Sequence, residues 1–166
     1  METITLNFDN DLPLKKWAEM DDKPGIYIHY IKDEDENKNR IVYVGKANSI
    51  KDRNKDHNTN YEKKKYLVFT IEEDGLYFQY IPDYDPRNKE IKPMPQIFVV
   101  GATSDCNNLN EIEGAISIHL FRSAKNRKYL TTYKLDYGLR DTKLVFTLPD
   151  DLILEGLPDF IETPKS

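Results

Sequence analysis

Gly25-Ile26-Tyr27-Ile28-His29-Tyr30-Ile31 and then Ile41-Val42-Tyr43-Val44-Gly45 are two runs rich in β-branched and aromatic residues. Such side chains favour strands. Pro24-Gly25 punctuates the start of the first run and Gly45 ends the second. Between them, Asp33-Glu34-Asp35-Glu36-Asn37-Lys38-Asn39 is a polar loop, longer than a tight hairpin turn requires. The pair predicts an antiparallel hairpin from Gly25 to Val44.

Beyond the hairpin, Ser49 and Asp52 have the spacing of a capping box, which predicts a helix from about Ile50 past His57. Arg53 and His57 are four apart and share one face of it. Tyr66 to Ile71 and Leu76 to Ile81 flank Asp74-Gly75, a hairpin signal, and a loop with Pro82, Pro86, Pro93 and Pro95 follows. Gln96-Ile97-Phe98-Val99-Val100 is continuous and apolar, as a buried strand is. Asn110 is placed to cap a second helix, whose stripe is Ile112, Ala115, Ile116, His119 and Leu120. His119 falls in that stripe and reads as a core residue. Upstream, Ile4 to Phe8 alternates like a short strand, and Leu12 to Met20 suits a short amphipathic helix. The tail offers short apolar pieces around Leu144-Val145-Phe146, broken by Pro149, Pro158 and Pro164, that no pattern places.

The bulk properties narrow the class. A chain of 166 residues suits one domain, and 39% hydrophobic residues are enough for one packed core. No apolar run approaches the ~20 residues of a bilayer crossing. Met1-Glu2-Thr3 has no basic or apolar leader. Cys106 is the only cysteine, which excludes an internal disulfide and a Cys-rich zinc site and fits a cytoplasmic protein. The net charge of −5 argues against nucleic acid at first sight. Its distribution argues otherwise. From Lys38 to Lys65 nine basic residues face three acidic ones, and from Phe121 to Arg140 six face one. Two basic islands in an acidic body suit local contact with a phosphate backbone.

Several polar residues fall where the elements begin or end: Gly25-Ile26-Tyr27, then Tyr43-Val44-Gly45-Lys46-Ala47, then Arg53 and His57. This arrangement resembles the GIY-YIG nuclease superfamily. Its first motif is intact and its second reads Tyr-Val-Gly. The stretch from Tyr43 to Arg53 is similar to the nuclease domain of the UvrC repair proteins, and the Arg-x-x-x-His step also matches restriction and homing members. The resemblance implies a later glutamate on a helix. Glu113, followed by Gly114-Ala115-Ile116, fits better than Glu111, and at ~100° per residue Glu113 lies at the edge of the apolar stripe while Glu111 turns toward solvent. The family's terminal asparagine would be Asn126. The implied fold is α+β: a small mixed sheet of at least three strands flanked by helices, with a nuclease-like core over about 23–126, an inserted hairpin over 66–95 and a C-terminal extension over 127–166, all in one domain.

The implied chemistry is phosphodiester cleavage with one Mg²⁺ or Mn²⁺. Glu113 would be the protein ligand, since Mg²⁺ keeps most of its waters and needs only one or two carboxylates. Arg53 would offset charge on the phosphate. His57 would bond that phosphate or pass protons. Tyr27 and Tyr43 would act as phenols near the attacking water. An unperturbed phenol, at pKa ~10, is a poor base, so the ion or Lys46 would have to favour the phenolate. Nucleic acid, DNA ahead of RNA, is the implied substrate. A homodimer or a protein partner would supply further DNA contacts, as no separate DNA-binding domain is visible. A competing reading makes the chain a GIY-YIG-fold module of weak or no activity that binds nucleic acid or a protein. Glu113 also has a bland reading, as a capping-box partner of Asn110. There is no GxSxG elbow and no P-loop.

Overall fold

The computed structural model describes residues 1–33, 36–63, 67–72, 75–80, 92–93, 96–127, 129–130 and 138–166. The predicted hairpin is present as β3 (Gly25–Asp33) and β4 (Lys38–Ala47), paired antiparallel. Residues 25–31 are all buried, which is why this strand reads as continuous rather than alternating. Its other neighbour is β8 (Phe98–Thr103), the predicted buried strand set two residues later than Gln96. With β2 (Asp9–Pro13) the sheet order is β2-β8-β3-β4, antiparallel throughout.

A register shift between His29 and Tyr30 leaves Val42 as the extra residue of a bulge. Val42 and Tyr43 therefore both serve the core on one face of the sheet, while Ile41 and Val44 serve the other. At the loop end of this hairpin the buried Arg40 sits 3.6 Å from Asp33, pairs with Glu36 and lies 4.8 Å from the Tyr129 ring centre. The acidic loop thus folds back onto one cation.

Helix α1 (Ile50–Lys63) starts where the capping box predicts, with the Asp52 amide donating to Ser49 Oγ at 3.1 Å. Ser49 in turn donates to Asp22 at 2.6 Å, tying the helix start to the segment before β3. Leu14–Glu19 is a 3-10 helix, shorter than the helix predicted from Leu12 to Met20. It joins α1 on one face of the sheet, where Leu14, Met20, Tyr27, Ile31, Val42, Ile50, Ile97 and Val99 form one cluster.

The opposite face carries α2 (Leu109–Arg122), packed on β3 and β4. The helix begins at Leu109 with Asn108 as its N-cap, two residues before the predicted cap at Asn110. Residues 112–118 are buried all round it, because a second sheet shares the same core. That sheet places the unassigned tail. It orders β1 (Glu2–Asn7), β9 (Thr142–Thr147) and β10 (Phe160–Glu162) as β1-β9-β10, with β1 parallel to β9 and β10 antiparallel. Leu6, Phe8, Leu144, Phe146 and Ile161 meet Ile26, Ile28, Val100 and Ile116 in one core.

The short helix α3 (Ala124–Arg127) follows α2. In the inserted region β5 (Leu67–Glu72) and β6 (Gly75–Tyr80) pair antiparallel as the Asp74-Gly75 signal predicts, and β7 (Lys92–Pro93) joins β5. The rest of the proline-rich loop lies outside the described residues, as do residues 34–35 of the acidic loop and residues 131–137 of the second basic island. Among the described residues no helix is long and apolar enough to cross a membrane.

The tightest backbone approach in the sheet is at Gly25. A Cβ there would run into the Ala102 carbonyl oxygen of β8 and come 2.8 Å from Ile50 Cδ1 of α1. The obstacle is a backbone atom of a central strand, so no rotamer change relieves it. Gly25→Ala should destabilise the fold by about 3 kcal/mol. Urea unfolding measures this, and an unchanged midpoint would show that β3 and β8 are not held this close.

Candidate active site

Cross-strand partners leave a sheet on the same face. Tyr27 pairs with Gly45 on β4, and His29 pairs with Tyr43. All three rings therefore stand on the α1 side. Gly45 is what lets them. A Cβ at that position would occupy the space of Tyr27 Cζ and its hydroxyl, and come 2.7 Å from Tyr43 Cε1. The Tyr27 ring lies across the bare Gly45 backbone and stacks on Tyr43, centroids 5.9 Å apart.

Helix α1 closes the group from above. His57 Nε2 is 2.8 Å from the Tyr27 hydroxyl, and its ring lies edge-on to Tyr27 and Tyr43 at 5.7 and 5.2 Å. Arg53, one turn earlier, stands beside both phenols. The structure thus brings four of the sequence-selected residues together: Tyr27, Tyr43, Arg53 and His57. Tyr27 is fully buried, Tyr43 and His57 are half-buried and Arg53 is exposed, so the group opens to solvent on the Arg53 side.

The other selected residues stand elsewhere. Lys46 pairs with Ile26 and so leaves the sheet on the opposite face. It lines a cleft of about 570 Å³ with Asn48, Asp105, Asn107 and Asn110. Glu113 is buried on α2, and Glu111 is half-buried against Gly138. With Asn108 as the N-cap, the third helical position is Glu111. Glu113 lies in the second turn, so the capping-box reading of Glu113 is corrected. Asn126 sits on α3 with its amide packed against Gly156.

Two members of the cluster were not selected from sequence. His29 is fully buried beneath the two tyrosines and His57, and its Nε2 is 2.7 Å from Asn54 Oδ1. The signal was available: His29 is two residues after Tyr27 on one strand face, and Asn54 follows Arg53 on the helix.

Burial sets the protonation states. It pushes the Tyr27 phenol well above its ordinary 10.0, the neighbouring Tyr43 adds to this, and Arg53 pulls the other way. An easily formed phenolate, as the sequence reading required, is therefore not what this environment favours. Burial, then Arg53, pulls His57 down to about 4, against a smaller opposing effect of Asp56. Burial, then His57, pulls His29 down to about 3. Both imidazoles are neutral at neutral pH.

This has a measurable consequence. Both histidines bind protons more weakly in the folded chain than at the ordinary 6.5, so acid favours unfolding. Their contribution is whole above about pH 6.5 and is lost as pH falls toward the folded values, by up to about 1.4 kcal/mol per pH unit each. Melting followed from pH 7 to about 5, above the carboxylate range, should show this fall, less steep in His29→Phe. A flat profile in the parent chain would mean that the rings are not buried as described.

The donor set bears on the metal. Among the described residues no three His, Cys, Asp or Glu side chains converge as a ready cage. The buried carboxylate of Glu113 is a hard oxygen donor. One such ligand, with water and substrate oxygens, suits Mg²⁺ or Mn²⁺ and does not suit zinc.

Comparison with known proteins agrees with this part of the molecule. Residues 23–91 match the family model described as the GIY-YIG catalytic domain. The match takes in β3, β4, α1 and the β5–β6 hairpin, and with them Tyr27, Tyr43, Arg53 and His57, but stops before Glu113 and Asn126. No curated protein and no solved structure matches the chain. Residues 23–91 are therefore similar to the GIY-YIG catalytic domain, a domain of nucleases.

Proposed function

We propose that the chain is a metal-dependent endonuclease that hydrolyses phosphodiester bonds in nucleic acid, with DNA as its first substrate. The convergence of two phenols, a guanidinium and a neutral imidazole on one face of the sheet carries this reading. Few other reactions call for that set.

Arg53 is exposed and adjacent to both phenols, so it can hold a phosphate over them and offset charge in the transition state. The proton of the attacking water has a sink in the Tyr27–His57 pair. Tyr27 passes its own proton to His57 Nε2 as it takes up the water's, so no free phenolate has to exist in a buried site. The resemblance assigns one Mg²⁺ or Mn²⁺ to Glu113, whose helix α2 lies on the face of the sheet opposite the phenols. When bound, such an ion supplies positive charge to a phosphate oxygen and acidifies water. Lys46, on the opposite face, would contact the nucleic-acid backbone from its own cleft and not the phosphate over the phenols, and Asn126 is carried by the family resemblance.

A second reading, a module that binds without cutting, is favoured by the net charge of −5. Nicking of supercoiled plasmid separates the two. The first expects Mg²⁺-dependent nicks that chelation abolishes; binding without nicks would establish the second. The basic island from Lys38 to Lys65 contains β4 and α1, which carry most of the cluster, so binding should weaken steeply with salt, in proportion to the phosphates neutralised. Affinity unaffected by salt would remove the island from the interface.

A further inference from the structure

His29 is a buried titratable residue at the centre of the cluster to which the chemistry above gives no task. Its ring centroid is 5.2 Å from Tyr27, 5.4 Å from Tyr43 and 4.9 Å from His57. Like Tyr27 on the same strand, it is fully buried and touches the three other rings of the cluster.

The orientation of this ring follows from its partner. Asn54 is itself fully buried, and its Nδ2 donates to the Ile50 carbonyl at 2.8 Å. A carbonyl can only accept, so Asn54 presents Oδ1 to His29 and not its amino group. His29 Nε2 lies 2.7 Å from that oxygen and must carry the proton. The other nitrogen, Nδ1, is then a bare acceptor, and it is buried without a partner. Burying an imidazole, an amide and an unsatisfied nitrogen costs free energy that an apolar side chain of similar size would not. Such a cost persists at functional sites when the geometry it enforces is used.

We infer that His29, locked by Asn54, is a positioning residue that holds Tyr27, Tyr43 and His57 in register for the reaction. The inference rests on the nuclease reading of the same cluster. The ring sets the spacing between the sheet tyrosines and the helix histidine, and its fixed tautomer keeps it an uncharged wall. The titratable and charged groups facing it are Tyr27 and Tyr43 from the sheet, and Arg53 and His57 from α1. An imidazolium here would stand beside Arg53 with no anion in contact. Burial, His57 and Arg53 all act to keep the ring neutral, against the Asn54 bond.

Nitrogen-15 NMR of the full chain tests the lock directly, without substrate. His29 should appear as a neutral Nε2–H tautomer at pH 7. An Nδ1–H tautomer or an imidazolium would overturn the inference. Three variants test the consequence: His29→Leu, which loses the ring; His29→Phe, which keeps a ring but leaves Asn54 unpaired; and His29→Phe with Asn54→Leu, which keeps a ring and leaves no orphaned amide. His29→Leu should lower kcat by about 10²-fold with KM within about 2-fold, because the Arg53 phosphate contact stays while the phenols drift. The double variant should recover both melting temperature and much of kcat relative to His29→Phe. A purely structural His29 predicts instead that kcat at a temperature well below melting is unchanged in all three, and that result would overturn the inference. If the parent chain cuts nothing, the nuclease reading fails by itself. The His57 resonances then decide this one: they should shift in His29→Leu and return toward the parent values in the double variant, and unchanged resonances would overturn it.

Discussion

Glu113→Ala should lower metal-dependent cleavage by at least about 10³-fold while leaving the fold and most nucleic-acid binding in place. Glu113 is the single carboxylate assigned to the ion, and among the described residues no group of three or more His, Cys, Asp or Glu side chains could hold it instead. Losing the ion removes charge neutralisation and water activation together, and about 4 kcal/mol at the transition state is already three orders of magnitude in rate. Binding should suffer less, since the proposed interface draws mainly on the basic islands. Since Asn108 is the N-cap and Glu113 lies in the second turn, no capping energy is at stake. Glu113→Gln, of nearly the same shape, should keep the parent melting temperature and still fail to cut. Plasmid nicking and thermal melting on the two variants check this. Cleavage near the parent rate in either would remove Glu113 from the catalytic set.

Gly45→Ala should be nearly as damaging, by a different route. The added Cβ falls where the Tyr27 ring tip now lies, and close to Tyr43 as well. Tyr27 is fully buried between β8 and β4, so its ring has little room to retreat. Overpacking of this kind costs about 1–3 kcal/mol of stability. The activity loss should be larger than that figure suggests, because the Tyr27–His57 bond of 2.8 Å depends on where the ring tip rests. A displacement of about 1 Å costs on the order of 10²-fold in rate. Kinetics well below the melting point separate the two effects. A variant that is destabilised but fully active per folded molecule would show that the Tyr27 hydroxyl is not needed in that place.

The parts of the site that were legible in the sequence are those fixed by short-range chemistry. Gly25, Tyr27, Tyr43 and Gly45 lie on paired strands whose run lengths and breakers declare a hairpin. Ser49 and Asp52 declare the helix start, and from it the facing of Arg53 and His57 follows by the helical period. His29 was hidden because a histidine in an apolar run is chemically ambiguous until its partner is known, and Asn54 becomes that partner only through packing. The start of α2 was misplaced by two residues because Asn108 and Asn110 are equally good caps by composition, and burial on all sides removed the amphipathic pattern that would have chosen between them. The tail could not be placed because its pairing is with β1, at the far end of the chain.

That parallel pairing of Glu2–Asn7 with Thr142–Thr147 bears on how the molecule is made. During synthesis β1 emerges before its partner and waits until β9 has been translated. At ~5–20 residues per second that is an interval of several seconds or more. Throughout it, Ile4, Leu6 and Phe8 have no sheet to enter, and the core side of α2 lacks its cover. Pairing β1 with β9 closes a loop that runs from Asn7 to Thr142, and long-range pairing of this kind is slow and aggregation-exposed. Until that closure, nascent chains present an apolar surface to chaperones.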